Sequence, residues 1–430
     1  MSYDVAIIGA GWAGANAAKE ARDLGLKVAL IEKGLIGGTC LNRGCIPTKA
    51  LIQSAKIYNL TKKTKNFGVI VDNPRIDFAQ IQARKDRLVG QLRQGLDFML
   101  RGVEVIQGEA RVISSSCVRL KDKEIQTKAI VIASGSRPMH LEALKFDGQK
   151  VISSDELLEI KNIPASLLVI GGGVIGCEFA GLFASLGANV TIVEKLPQLL
   201  PGVDREVARR LETIFKKKGI KVNTNSDAKD FPLSDYELVL LSIGRVANSR
   251  GLGLEDVGVK IEREKICVDE YLRTSVPGIY SAGDSTGQVM LAHFASYQGV
   301  IAAQNIARPE NLKKAVNPIV PSCIFTDPEI ACVGQDEERL AQQGKEIDVH
   351  RFDFMGSGMA RILDETEGFI KIVSDKRSGQ ILGSSLIGPR VTELISVLGL
   401  GASCRITISQ LKETIFAHPT LCESIHEAVA

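Results

Sequence analysis

The sequence predicts an α/β protein with two alike parallel-sheet units and a C-terminal α+β unit. Three observations predict it. Residues 3–33, "YDVAIIGAGWAGANAAKEARDLGLKVALIEK", read as strand, glycine turn, helix, strand. The pattern recurs at residues 165–195 in "ASLLVIGGGVIGCEFAGLFASLGANVTIVEK". From about residue 318, "NPIVPSCIFTDPEIACVG" opens a different, β-led part of the chain.

In the first unit, the run Val5 to Ile8 is short and rich in β-branched residues, as a strand buried on both faces should be. Gly9, Gly11 and Gly14 then form G-x-G-x-x-G. The first glycine permits a tight turn, the second lets a pyrophosphate approach the backbone, and the third lets helix and strand pack closely. The helix N-terminus offers unpaired N–H groups and the positive end of a dipole to phosphate. Glu32 closes the next strand, where an acid can bind ribose hydroxyls.

The second unit repeats this with Gly171, Gly173, Gly176 and Glu194. The same number of residues separates the first glycine from the acid in both copies. One glycine fingerprint alone is weak. Two, each in a strand–turn–helix–strand context with its acid in register, make a strong case for two Rossmann-like domains binding two dinucleotides. A carboxylate at Glu194 accepts hydrogen bonds from a free ribose 2′-OH and repels a 2′-phosphate, which favours NAD over NADP.

Between the first unit and its return to the sheet lies "GGTCLNRGCIPTK", residues 37–49. Cys40 and Cys45 have four residues between them, and Pro47 favours a helix start, so a helix is predicted over residues 47–58. A thiol near a helix N-terminus has more thiolate character. A disulfide closing so small a ring would constrain little chain, so redox exchange explains the pair better than a structural staple. Two dinucleotides and a cysteine pair suggest electrons passing among a nicotinamide, a flavin and a disulfide.

Composition excludes several other classes. The chain has 430 residues, 45% hydrophobic and 24% charged, with a net charge of +3. That charge is too small to imply nucleic acid or an anionic membrane as partner. Apolar runs fall short of a membrane span. With no basic n-region or cleavage site, the expectation is a soluble cytoplasmic protein. The seven cysteines outside the motif are scattered and read as small hydrophobes. No C-x-x-C pair or histidine cluster suggests a metal.

These motifs resemble the flavin disulfide reductases along essentially the whole chain. "GGTCLNRGCIPTK" resembles the family's redox motif and carries Gly38 and Thr39. "ASGSRP", with Ser134 and Gly135, is similar to the strand end that closes the flavin domain. "SIGRVAN", with Gly244 and Arg245, resembles the end of the nicotinamide domain. "IYSAGDSTG" resembles the second flavin motif, whose acid, here Asp284, holds the ribityl chain. "MLAH", with Ala292, is similar to the segment beside the flavin pyrimidine in the lipoyl-oxidising branch. "TIFAHPTLCESIHEA" resembles the family's acid/base segment, with His418 as the base and Glu423 holding its imidazole. A histidine titrates at about 6.5, which suits deprotonation of a thiol near neutrality.

The resemblance implies FAD at the first glycine turn and NAD at the second. It pairs Lys49 with Glu178 beside the flavin and brings the Ala110 backbone toward the adenine. It makes Cys40 the interchange thiol and Cys45 the flavin-side thiol. It implies oxidation of dihydrolipoyl groups of a 2-oxo acid dehydrogenase or glycine cleavage complex, with NAD as acceptor. Glutathione-type or mercuric-type reduction, or a non-catalytic binding paralog, are the alternatives. It implies a homodimer whose active site is shared, with His418 from one subunit and the cysteines from the other, and a lipoyl domain as further partner.

By the same resemblance, residues 1–148 and 247–317 form the FAD-binding domain and 149–246 the NAD-binding domain. Residues 318–430 form the C-terminal dimerisation domain. The stretch 222–238 is short where relatives usually have room for an additional β-hairpin.

Overall fold

In the computed structural model, which describes residues 2–121, 123–316 and 319–430, β1 (Ser2–Ile8) turns at Gly9 into α1 (Trp12–Asp23), which returns to β2 (Val28–Glu32). β1 is longer than the Val5–Ile8 run predicts because Ser2 and Tyr3 also pair, with Gln126 and Thr127. Among the described residues this sheet has seven strands. β1 lies between β2 and the strand Lys123–Ile132, parallel to both. The strands Ala110–Ser114 and Cys117–Leu120 extend it antiparallel. The late strand Ile279–Ser281 returns to pair with Lys123–Ile132.

The alternation along β1 explains its apolar run. Val5 and Ile7 face one buried cluster with α1, while Ala6 and Ile8 face another on the opposite side. Each fully buried aliphatic side chain contributes about 1.5–3 kcal/mol. The buried face of α1 is almost all alanine, Ala13, Ala15, Ala17, Ala18 and Ala21, which lets the helix lie close to the sheet.

After β2 come α2 (Gly38–Arg43) and α3 (Cys45–Lys63). A long helix over Phe78–Met99 packs on α3. The second unit repeats the first: β3 (Ser166–Ile170), α4 (Val174–Ser185) and β4 (Asn189–Val193). Its parallel sheet runs Lys221–Asn223, β4, β3, Leu238–Leu241, Val151–Ile152. Leu167 and Val169 face one cluster, Leu168 and Ile170 the other. In the stretch read as too short for the relatives' additional hairpin, the chain makes two short 3-10 turns, Ala228–Asp230 and Leu233–Asp235.

The last sheet is antiparallel, in the order Ser322–Ile324, Glu329–Gly334, Ile381–Gly388, Phe369–Asp375, Ile347–Asp353. The helix Val391–Ser403 covers one face through Leu394, Ile395 and Leu398. Ile324, Ile330, Phe369 and Ile387 join the same apolar cluster as Phe179 and Phe183 of α4 and Leu51, Ile52 and Ala55 of α3. That shared cluster sets α3 between the second unit and the C-terminal sheet. Among the described residues no helix is long and apolar enough to cross a membrane.

Candidate functional site

The two glycine turns have the same geometry. Gly9 and Gly171 both adopt φ of +102°, a left-handed region that favours glycine. A Cβ at Gly14 would lie 1.8 Å from the Gly9 carbonyl oxygen, and one at Gly176 would lie 2.0 Å from that of Gly171. The turns therefore require glycine at both positions. Gly11 and Gly173 cap α1 and α4 without a side-chain acceptor, and neither first turn holds an acid. Each helix thus presents backbone N–H groups to an anion.

The two acids are tied to these turns. Glu32 accepts from Ala10 N–H and Gly34 N–H, each at 2.7 Å. Glu194 accepts from Gly172 N–H at 2.7 Å and Leu196 N–H at 2.8 Å. A carboxylate has about four acceptor sites, so each retains capacity for ribose hydroxyls. The chemistry of both cradles fits a dinucleotide: glycine backbone for pyrophosphate, an acidic side chain for ribose. In the first cradle a Cβ at Gly38 would come 2.7 Å from Gly11 Cα, so the cysteine segment lies directly on the turn.

The residues expected around the flavin converge on the first sheet. Asp284 follows the returning strand and accepts from Ser136 Oγ at 2.6 Å. Arg245 reaches back to Ser136 through Nε and Nη2, both at 2.8 Å. Ser134 donates to the Asn248 carbonyl oxygen, Gly135 accepts from Asn248 N–H at 2.9 Å, and Gly244 accepts from Met139 N–H at 3.0 Å. Ala292 opens α5 (Ala292–Ala307), which packs on α1. Ala110 is buried and starts the strand that follows Gly108, whose N–H bonds the Glu32 carbonyl oxygen. That sets Ala110 two residues from the acid-bearing strand end.

The cysteine segment is built from two abutting helices. Gly37 and Gly38 have positive φ and admit α2, which carries Thr39 and Cys40. Gly44 breaks the helix, and Cys45 is the first residue of α3. The sequence places the helix start at Pro47. The observed start is two residues earlier, because Thr48 N–H and Oγ both bond the Gly44 carbonyl oxygen and draw Cys45 into the first turn. Asn42 pins the segment by donating to the carbonyl oxygens of Ile36 at 2.8 Å and Gly38 at 3.0 Å. Arg93 in turn holds the Asn42 oxygen.

Both cysteines are free thiols here, so the structure represents the reduced pair. The neighbouring Cys40 thiol, with help from the Lys49 ammonium, lowers the Cys45 thiol to about 7 against opposition from burial and the Glu178 carboxylate. The same partnership, with burial, pushes Cys40 well above the ordinary thiol range. One sulfur is therefore poised as thiolate near neutrality while its neighbour keeps its proton. The Trp12 indole N–H, at the start of α1, is buried without a hydrogen-bond partner among the described residues and lies close enough to Cys40 to draw that thiol down.

Lys49, about one helical turn beyond Cys45, pairs with Glu178 of α4. Lys49 Nζ lies 2.7 and 2.9 Å from the two carboxylate oxygens. Glu178 is only 4% exposed. Glu178 Oε1 also accepts from Phe325 N–H at 2.9 Å, and Lys49 Nζ sits 4.7 Å from the centre of the Phe325 ring.

His418 and Glu423 lie together near the end of the chain. His418 Nδ1 is 2.7 Å from Glu423 Oε1, and Thr420 N–H donates to Oε2 at 2.7 Å. Both contacts hold the Glu423 carboxyl below its ordinary range. The His418 side chain is 80% exposed, and no described contact joins it to Cys40 or Cys45 of its own chain.

The structure thus brings together Cys40, Cys45, Lys49 and Glu178, and separately His418 with Glu423. Sequence reasoning missed Asn42, Arg93, Ser136 and Phe325. Asn42 was visible inside the cysteine ring. Arg93, Ser136 and Phe325 act through contacts more than forty residues away in the chain, which no local pattern marks.

Residues 3–299 match a family model described as pyridine nucleotide-disulphide oxidoreductase, and residues 320–429 match the dimerisation domain of the same family. The chain is 39% identical to a dihydrolipoyl dehydrogenase of Chlorobaculum tepidum, covering 99% of this chain and 96% of that protein. It is 37% identical to a dihydrolipoyl dehydrogenase of Bacillus subtilis, covering 99% and 97%. Among solved structures it resembles LpdA of Mycobacterium tuberculosis, with a TM-score of 0.89, 28% identity and 99% of both chains covered. It also resembles RclA, an HOCl-induced flavoprotein disulfide reductase of Escherichia coli, with a TM-score of 0.88, 28% identity and 99% of both chains covered.

Proposed function

The chain belongs to the pyridine nucleotide-disulphide oxidoreductases, and on that premise we propose that it has dihydrolipoyl dehydrogenase activity, oxidising dihydrolipoyl groups through Cys40 and Cys45 with FAD bound and NAD as acceptor. The observation that carries this reading is the cysteine pair itself: Cys40 neighbours Cys45, which opens α3 one turn from the Lys49–Glu178 pair. Relatives at 36–39% identity that carry the dihydrolipoyl dehydrogenase name support the substrate.

Gly9, Gly11, Gly14, Glu32, Gly38, Thr39, Ala110, Ser134, Gly135, Arg245, Asp284 and Ala292 would hold FAD in this reading. Gly171, Gly173, Gly176, Glu194 and Gly244 would hold NAD. When bound, FAD supplies two-electron transfer from the dithiol to the nicotinamide.

The steps on the protein's own residues are thiol–disulfide exchange. Glu423 is ionised and can only accept, so His418 Nδ1 carries a proton and Nε2 is left as the base in the neutral ring. Nε2 takes a proton from one dihydrolipoyl thiol. The thiolate attacks Cys40 Sγ of the closed Cys40–Cys45 disulfide, forming a mixed disulfide and releasing Cys45 as thiolate. The second substrate thiol attacks the substrate sulfur of that mixed disulfide, its proton passing to the departing Cys40 sulfur while the first proton stays on His418. The lipoyl ring closes and the Cys40 thiol is expelled with a proton. The substrate loses two electrons and the cysteine pair gains two. Lys49 stabilises the Cys45 thiolate, and Glu178 limits that charge.

The exposure of His418 and the lack of any described contact between it and Cys40 or Cys45 of its own chain support a site completed by a second subunit. The matched dimerisation domain supports a homodimer. A lipoyl domain of a multienzyme complex is the partner this reading requires. The same reading divides the chain into FAD segments 1–148 and 247–317, an NAD segment 149–246, and an interface segment 318–430. The three sheets support this division, although its last boundary lies on Asn317 and Pro318, outside the described residues. The test is turnover: dihydrolipoamide-dependent NADH formation that Cys40→Ser abolishes, against a Cys40→Ser protein that retains it.

A further inference from the structure

The Lys49–Glu178 pair has a third member that neither glycine unit supplies. Phe325 belongs to the segment matched by the dimerisation model, whereas Lys49 and Glu178 belong to the segment matched by the oxidoreductase model. Phe325 makes two contacts with the pair. Its main-chain N–H donates to Glu178 Oε1 at 2.9 Å. Its ring lies under the Lys49 ammonium, 4.7 Å from Nζ to the ring centre. Both contacts sit at the edge of the apolar cluster joining α3, α4 and the C-terminal sheet, against which Phe325 packs.

We propose that Phe325 is a positioning residue of the redox centre, its ring and main-chain N–H together fixing where the Lys49 ammonium and the Glu178 carboxylate stand at the head of α3. This rests on the reading of Cys45 and Lys49 as parts of the redox centre.

The physical argument has two halves. A carboxylate on α4 shared between an ammonium and a backbone N–H is fixed in both distance and plane. A lysine stem is flexible, with several rotamers of similar energy. With Glu178 alone as partner, Nζ can swing about the carboxylate. The negative face of the Phe325 ring attracts the ammonium and closes off that motion. Because Lys49 lowers and Glu178 raises the Cys45 thiol, their net effect depends on where Nζ stands. The other charged or titratable groups that reach this locus are Cys40, Cys323 and Arg245.

The test is a pH titration of the long-wavelength absorbance that the Cys45 thiolate gives against oxidised flavin in the two-electron-reduced holoenzyme. Three proteins are compared with wild type: Phe325→Leu, Phe325→Tyr, and one with pentafluorophenylalanine at position 325. The fluorinated residue keeps the ring's shape but removes its negative face, so it guards against a Leu variant that fails to fold. The expected result is a higher Cys45 midpoint in the Leu and fluorinated proteins. The thiolate fraction at neutral pH falls roughly twofold, consistent with an ordinary cation–π contact. Tyr restores the wild-type curve. A fluorinated protein that titrates as wild type overturns the proposal and leaves Phe325 with packing alone. The reading beneath it fails separately, if Cys45→Ser still oxidises dihydrolipoamide.

Discussion

His418 Nδ1 lies 2.7 Å from Glu423 Oε1, on a side chain that is otherwise turned to solvent. A histidine so oriented, with no described contact to Cys40 or Cys45 of its own chain, makes sense when a second subunit supplies those cysteines. Cys45→Ser and His418→Gln chains should each be inactive as homodimers. Refolded together in equal amounts, they should recover about a quarter of wild-type activity, because half the dimers are mixed and each mixed dimer has one intact site. No recovery on mixing would place the whole site in one subunit.

The Lys49–Glu178 pair predicts two shifts of opposite sign. Lys49 lowers the Cys45 thiol and Glu178 raises it. Lys49→Met should therefore move the Cys45 midpoint above its value of about 7, leaving less thiolate at neutral pH. Glu178→Gln should move it down. Shifts of about half to one unit are expected for charges at this range. The reduced holoenzyme, titrated by absorbance, gives both. Shifts in the same direction for both variants would contradict the assignment.

The third glycine of each turn separates the two cofactors. A Cβ at Gly14 meets the Gly9 carbonyl oxygen, and one at Gly176 meets that of Gly171. Both contacts are with backbone, which has little room to yield. Gly14→Ala should yield protein depleted of flavin. Gly176→Ala should remain yellow and lose NAD binding, measured by titration calorimetry. Flavin loss from Gly176→Ala with retention in Gly14→Ala would reverse the assignment.

Glu194 combines recognition with local structure. Its carboxylate holds the N–H groups of Gly172 and Leu196, and the residue is 7% exposed. Glu194→Ala should cost about 2 kcal/mol of stability, from two charge-assisted hydrogen bonds left unmade. It should also raise the KM for NAD about tenfold and narrow the preference over NADP. Glu194→Gln, which keeps an acceptor oxygen, should lose less stability. A thermal melt and steady-state kinetics with both nucleotides check this, and unchanged KM values would remove Glu194 from the ribose site.

Much of the first two sheets was legible because parallel strands and glycine turns leave local marks. Val5–Ile8 and Gly9, Gly11 and Gly14 are contiguous, and their copy at Gly171 confirms the period. The Lys49–Glu178 contact was legible only through resemblance, since the two residues lie far apart on separate helices. The start of α3 was misplaced because Pro47 is a stronger sequence signal than the Gly44 carbonyl, which accepts from Thr48 and pulls Cys45 into the helix. Phe325 gave no sign. An aromatic residue at a strand end reads as core, and its contact with Lys49 exists only once the C-terminal sheet packs against α3.

The central claim is that Cys40 and Cys45 carry electrons from a dihydrolipoyl thiol to NAD. The most direct measurement is anaerobic mixing of the flavin-loaded protein with dihydrolipoamide, followed by NAD or NADP, with Cys40→Ser alongside. The account predicts reduction by dihydrolipoamide, prompt NADH formation with little NADPH, and neither step in Cys40→Ser. A protein that stays oxidised in dihydrolipoamide yet is reduced by NADH or NADPH would contradict it, and would make the cysteine pair a centre for some other disulfide.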